Sequence, residues 1–188
     1  MRYVLLSALV LLFAGCGTYR SGSGGYRTGG DYAVDGNGEY YLSRRAPLAE
    51  YVPSAEFRLY WPVRQVKMNR GFRPASDPNH QGIDLGGSRG TPILAGHEGL
   101  VVYVGQEFSG YGKMVLIEYD KEWASIYAHL DSISVREGQI VKPGDPVGTM
   151  GKTGRASGVH LHFEVLKSRK NVDPLPLLGR GSQLARKI

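Results

Sequence analysis

One stretch, Gly158-Val159-His160-Leu161-His162-Phe163-Glu164-Val165, limits what this chain can become. Side chains on a β-strand alternate between faces, so His160, His162 and Glu164 point one way and Leu161, Phe163 and Val165 the other. The apolar set needs a core. The polar set puts two imidazoles side by side, where they can bind a metal or move protons. Two other stretches carry matching groups. His80-Gln81-Gly82-Ile83-Asp84 offers an imidazole and a carboxylate four residues apart, on one face whether the backbone is extended or helical. Tyr127-Ala128-His129-Leu130 ends a further apolar run with a histidine.

The rest of the chain sets the fold class. Short apolar runs are predicted as strands at 91–95, 99–105, 113–119, 123–129, 139–141, 146–151 and 160–166, each followed by turn residues. The chain has 27 glycines and 10 prolines, and most of those past residue 57 fall between these runs, as turns require. The expected fold is mainly β: a compact antiparallel sheet domain over 57–178 with short loops and few helical turns, one of them starting near Ser54. Past Asp173-Pro174 the chain is expected to leave the fold, and 179–188 reads as a basic tail.

The N-terminal third differs. Met1-Arg2-Tyr3 precedes an apolar run, Val4 to Ala14, too short to span a bilayer. It ends in Phe13-Ala14-Gly15-Cys16, which resembles a bacterial lipobox, although Phe13 stands where leucine is usual. Residues 1–16 are therefore expected to be a signal peptide with Cys16 lipidated, anchoring the protein in a membrane. Gly17 after the cysteine favours the outer membrane, facing the periplasm. Residues 17–56 read as a tether and connector, because Gly, Ser and Tyr dominate and aliphatics are few. Cys16 is the single cysteine, which excludes an internal disulfide and a thiolate zinc site. A lipidated Cys16 could not cross-link a dimer, and a monomer is expected. The formal charge of +6 suits polyanionic surroundings. Neither a basic base-reading helix nor an aromatic RNA-binding signature is present, so a nucleic-acid partner is not expected.

Two imidazoles and one carboxylate with an open fourth position are the ligand composition of a catalytic zinc site. His80, Asp84 and His162 supply that set, and His129 and His160 would then lie beside it as proton carriers. A helical H-E-x-x-H motif is absent, so a zincin is excluded. His97, in a Gly-His-Glu-Gly turn, is expected to be solvated. Glu164 is expected to pair with a nearby cation.

These motifs together resemble the lysostaphin-like, LytM-type zinc metallopeptidases of bacterial cell walls. The matching residues are Gly71-Phe72-Arg73, His80-x-Gly82-x-Asp84, Gly90-Thr91-Pro92-Ile93-Leu94-Ala95, Gly110-Tyr111-Gly112, Tyr127-Ala128-His129-Leu130, Gly151-x-Thr153-Gly154 and His160-Leu161-His162-Phe163-Glu164. The resemblance implies zinc held by His80, Asp84 and His162, catalysis by His129 and His160, and a narrow groove with Arg73 and Tyr111 as substrate-binding residues. It implies cleavage of peptide cross-links in peptidoglycan through a zinc-activated water, with D-Ala–diaminopimelate as the bond for a two-membrane envelope. Some relatives carry a tyrosine just before the first ligand histidine as oxyanion donor. Residues 73–79 contain none, which leaves that role open between His129 and Tyr111. Other relatives lack the ligands and activate amidases, so a non-catalytic envelope adaptor is the alternative. A third expectation is that residues 39–60 cover the groove.

Overall fold

The computed structural model describes residues 51–53 and 55–178, and the strand backbones β1 (Tyr26–Arg27), β2 (Tyr32–Val34) and β3 (Tyr40–Leu42). These first three strands pair antiparallel in a sheet of their own within the stretch read as tether. Cys16, Ser54 and the 179–188 tail lie outside the described residues.

Eleven strands follow: β4 (Met68–Arg70), β5 (Ile83–Gly86), β6 (Pro92–Leu94), β7 (Gly99–Gly105), β8 (Met114–Glu118), β9 (Trp123–Ala128), β10 (Leu130–Ile133), β11 (Ile140–Val141), β12 (Pro146–Met150), β13 (His160–Lys167) and β14 (Lys170–Val172). All their pairings are antiparallel, and no helix occurs among the described residues. An eight-stranded sheet runs β11-β7-β8-β9-β13-β5-β4, with β14 also on β13, and a three-stranded sheet runs β10-β12-β6. The apolar runs at 91–105, 113–129 and 139–151 fold as the strands expected of them. Four strands, β4, β5, β10 and β14, were not expected. They are three or four residues long, and the first two and the last carry mixed polar residues that leave no clear alternation.

Alternation sorts the large sheet into two faces. Ile83 and Leu85 of β5, Val115 and Ile117 of β8, Tyr127 of β9, and Leu161, Phe163 and Val165 of β13 enter one buried cluster. Ile93, Leu130, Val147 and Met150 of the small sheet join it, so the main core lies between the sheets. On the other face, Met114, Leu116, Ile126, Ala128 and Leu166 form a second, smaller cluster beside the polar site. In β7 the register slips by one residue between Val101 and Tyr103, so that Val101 faces the main core and Tyr103 the smaller cluster.

Both ends of the domain are packed. Phe57 stacks on Trp123 at 4.4 Å and 6° and meets Tyr119 edge-on, while Leu59 and Val63 are buried in the main core. At the other end the chain does not leave the fold at Pro174. Leu178 is 2% exposed and Leu177 packs beside it, because the turn at 174–178 folds them back onto the core.

His97 also departs from expectation, being 1% exposed rather than solvated. Its Nδ1–H donates to the Glu98 carbonyl at 2.6 Å, and Nε2 meets the Ser125 hydroxyl at 2.7 Å. Burial pushes its pKa down to about 4, so it is a neutral structural imidazole. The Gly-His-Glu-Gly pattern looked like an exposed turn because the burying groups, Phe57 and Ser125, are far away in sequence.

The β13–β14 hairpin holds one polar residue for the site, Asn171, and turns through Ser168 and Arg169 at φ of 49° and 68°. Two residues at positive φ make a type I′ loop, which favours Asn-Gly. Replacing Ser168→Asn and Arg169→Gly together is expected to stabilise the domain by about 1 kcal/mol. Thermal unfolding should show Tm higher by roughly 3–5 °C, with the far-UV spectrum unchanged.

Candidate metal centre

The site is built on the register between β5 and β13. His162 sits directly opposite Asp84, and His160 opposite Gly86. On its other edge His162 faces Ala128 of β9, whose small side chain leaves the imidazole room. His80 reaches in from the loop before β5. One donor atom from each of His80, Asp84 and His162 lies within 4.8 Å of the others. His80 Nε2 is 3.1 Å from Asp84 Oδ1, His162 Nδ1 is 2.9 Å from the same oxygen, and the two ring nitrogens are 3.2 Å apart.

Each imidazole is tied outward by its other nitrogen. His80 Nδ1–H donates to the Gly71 carbonyl at 2.7 Å. His162 Nε2–H donates to Glu164 Oε1 at 2.8 Å. A carbonyl or carboxylate oxygen only accepts, so the tautomers follow: His80 offers an Nε2 lone pair and His162 an Nδ1 lone pair to the same point. Asp84 is oriented in the same way. Arg70 holds Oδ2 through Nε at 2.8 Å and a terminal nitrogen at 2.7 Å, leaving Oδ1 for the centre. Two imidazole nitrogens and a carboxylate oxygen, preset by outward hydrogen bonds, fit a zinc ion.

The charge distribution agrees. Burial alone would push Asp84 up, but before a metal binds, protons shared with the facing His162 and His80 nitrogens, together with Arg70, hold it well below the ordinary carboxylate range. Burial alone would depress His162, yet its hydrogen bonds to Asp84 and Glu164 carry it up to about 9. The two carboxylates that favour a proton there equally favour a metal cation.

His129 and His160 complete the cluster, with ring centroids 4.7 Å apart, and His129 is 5.8 Å from His162. His129 sits where the chain turns from β9 in the large sheet to β10 in the small one, at φ of 61°. Its main-chain N–H donates to the Tyr111 carbonyl at 2.9 Å, and its Nδ1–H to the Thr153 carbonyl at 2.8 Å. The loops that supply these carbonyls interlock. A Cβ on Gly112 or on Gly154 would come within 2.4 Å of the other loop's backbone, and both glycines have positive φ. Burial first, then the neighbouring His160 and His162, pushes His129 down to about 4, so it is a neutral base at neutral pH. His160 Nδ1–H donates to the Gly158 carbonyl at 3.0 Å, and its buried Nε2 has no hydrogen-bond partner and lies 3.6 Å from Asp84 Oδ1. A buried unpartnered imidazole nitrogen aimed at the donor set is suited to accept a proton from a substrate.

All five expected residues thus converge. A groove of about 430 Å³ crosses the site, lined by His80, Gln81, Tyr111, His129 and His162 among others. Tyr111 belongs to it, with its hydroxyl donating to Glu164 Oε1 at 2.8 Å. Arg73 does not line it. Its main-chain N–H closes the loop onto the His80 carbonyl, and its guanidinium lies over the Phe72 ring at 5.1 Å; Arg70 and Arg155 line the groove instead. None of the described residues 51–60 lines the groove, because that segment packs on the main core. Glu164, expected to pair with a cation, is fully buried and accepts from His162, Tyr111 and, at 2.6 Å, Asn171. Strand alternation had placed Glu164 on the correct face. Arg70 and Asn171 carried no local signal, since each acts through a partner distant in sequence, and Thr153 was marked only as part of a motif, without its role of holding His129.

The groove thus runs beside a His/Asp/His donor set and two further imidazoles, all carried by antiparallel strands and the loops that join them. The chain belongs to peptidase family M23, which residues 78–174 match, just over half of the 188 residues. It is 44% identical over 104 residues to the murein hydrolase activator NlpD of Escherichia coli, covering 55% of this chain and 27% of NlpD. It is 38% identical over 136 residues to the uncharacterized lipoprotein YgeR of the same organism, covering 72% of this chain and 53% of YgeR. The chain therefore spans about a quarter to a half of the length of these relatives. Among solved structures it resembles a zinc-containing peptidase from Vibrio cholerae, with TM-score 0.58 and 30% identity over 77% of this chain and 46% of that one. It also resembles lysostaphin from Staphylococcus simulans, with TM-score 0.59 and 25% identity over 71% of this chain and 60% of that one.

Glu164 provides a direct check of the preset tautomer. Glu164→Gln keeps the shape but removes the charge behind His162. Zinc affinity, read by competition with a chromophoric chelator, should fall about 10- to 100-fold, with Tm changed little.

Proposed function

We propose that this chain is a zinc-dependent endopeptidase that hydrolyses peptide cross-links of peptidoglycan, D-Ala–diaminopimelate being the expected bond. The observation that carries this reading is the convergence of His80 Nε2, Asp84 Oδ1 and His162 Nδ1, each preset by a hydrogen bond on its other side, next to the imidazoles of His129 and His160. Zinc held by these three side chains would supply a Lewis acid that polarises the scissile carbonyl and acidifies water. The chain's own residues do the rest. His160 and His129 handle the protons: one ring takes a proton from the attacking water, and that same proton is passed on to the leaving amine, so neither ring has to start out protonated. His129 is fixed for this at two points, by Tyr111 and Thr153. The groove aligns the peptide across them. Tyr111 donates its hydroxyl to Glu164 beside His162, and His129, whose Nδ1–H is used by the Thr153 carbonyl, can donate to a developing oxyanion only once it has taken the water's proton.

The envelope location rests on separate support. Relatives are named lipoproteins, and the sequence ends its apolar leader at Cys16. Lipid attachment at Cys16 would hold the protein on a membrane, with the outer membrane favoured by Gly17, and the substrate would be the adjoining wall.

A second reading has one observation in its favour: NlpD is named a murein hydrolase activator. In that reading the domain binds a cell-wall amidase and the site is not used. The experiment that separates the two is digestion of purified sacculi by full-length protein in mild detergent, comparing wild type, His162→Ala and wild type with chelator. The endopeptidase reading expects cross-linked dimers to fall to monomers with glycan strands intact, and a loss of at least about 1,000-fold in rate for His162→Ala. Intact sacculi that are opened only when an amidase is added, by wild type and His162→Ala alike, would establish the activator instead.

A further inference from the structure

Two arginines line the groove, and they are in different states. Arg70 is fully engaged, 2.8 Å from Asp77 and 2.7 Å from Asp84. Arg155 is exposed and forms no ion pair among the described residues. It stands in the loop ahead of β13, with its main-chain N–H on the Gly110 carbonyl at 2.9 Å. Its guanidinium atoms lie 3.4–3.9 Å from the point where a Cβ on Gly110 would stand, and Gly110, at φ of 94°, has none. The glycine gives the guanidinium a flat seat at the groove's edge, on the β9 side of His162.

The charges along the groove point to what Arg155 meets. Arg70 balances Asp77. Asp84 and Glu164 together balance a divalent cation at the donor set. Arg155 is the remaining charge, so the bound ligand completes neutrality by bringing one anion. A guanidinium prefers a carboxylate, which it binds through two parallel N–H donors.

We propose that Arg155 is a specificity-determining residue that pairs with a free carboxylate of the substrate peptide. This rests on the peptidoglycan reading above. The chemistry of the cross-link gives the anion a natural source. Where a diamino acid supplies the leaving amine from a carbon that also bears a carboxylate, the scissile amide carries a negative charge one carbon away. A cross-link through glycine or through a simple side-chain amine carries none there. The second source is the carboxylate at the peptide's C-terminus. Arg155 selects the charged cross-link over the uncharged one by that pairing.

The test uses full-length protein with three cross-linked peptide dimers: one unmodified, one amidated at the carboxylate beside the scissile amide, and one amidated at the C-terminus. Cleavage gives KM and kcat for wild type, Arg155→Ala and Arg155→Lys. Binding is measured separately by calorimetry with chelator present. Arg155→Ala should raise KM and Kd for the unmodified dimer about 5- to 10-fold at nearly constant kcat, with Arg155→Lys in between. Amidating the carboxylate that Arg155 reads should cost wild type the same factor and cost Arg155→Ala nothing, and the arm in which this occurs names the source. Equal KM and Kd for wild type and Arg155→Ala on all three dimers would overturn the proposal. Dimers that are bound through Arg155 but not cleaved would leave it standing while removing the endopeptidase reading. Dimers neither bound nor cleaved would remove both.

Discussion

The pairing of β5 with β13 is the constraint on which the site depends. One residue of slip would send His160, His162 and Glu164 into the core and Leu161, Phe163 and Val165 into the groove. That slip is prevented from the apolar side. Leu161, Phe163 and Val165 are fully buried, as are Ile83 and Leu85 opposite them, so the register that buries five apolar side chains also sets Asp84 against His162. Packing energy of several kcal/mol thereby fixes the position of two donor groups that by themselves stabilise nothing.

Around that pair, fixed hydrogen bonds face outward and free lone pairs face inward. Four imidazoles each give one N–H to a carbonyl or carboxylate, from Gly71, Thr153, Gly158 and Glu164. Asp84 gives one oxygen to Arg70. Ordering these groups costs entropy at folding, and the core supplies that stability. What remains at the centre is a set of nitrogen and oxygen atoms already oriented toward one point, which is what catalysis by a positioned metal and positioned bases requires.

The sequence made the strand with the strongest alternation legible, and with it His160 and His162 by face, while His80 and Asp84 followed from their spacing and His129 from its place at the end of an apolar run. It made the β class legible because glycine and proline fall between short apolar runs. It did not make β5 legible, since Ile83-Asp84-Leu85-Gly86 is short and ends in glycine, although it carries a ligand. Arg73 and Arg70 look equivalent in sequence, but Arg70 stands opposite Asp84 in the β4–β5 pairing and holds it, while Arg73 lies past the strand in a turn at φ of 40°. His97 was misplaced for a related reason: burial is decided by Phe57 and Ser125, which meet it only through the fold. Local pattern reports faces and turns, and long-range contact decides which polar groups are enclosed.

The central claim is that the outward hydrogen bonds fix which nitrogen of each ring faces the centre. Long-range nitrogen–proton correlation by NMR on zinc-loaded, ¹⁵N-histidine-labelled protein reads this directly. The account predicts a proton on Nε2 of His162 and on Nδ1 of His80, His129 and His160. A proton on Nδ1 of His162, or a His80 ring whose nitrogens are unaffected by zinc, would contradict it.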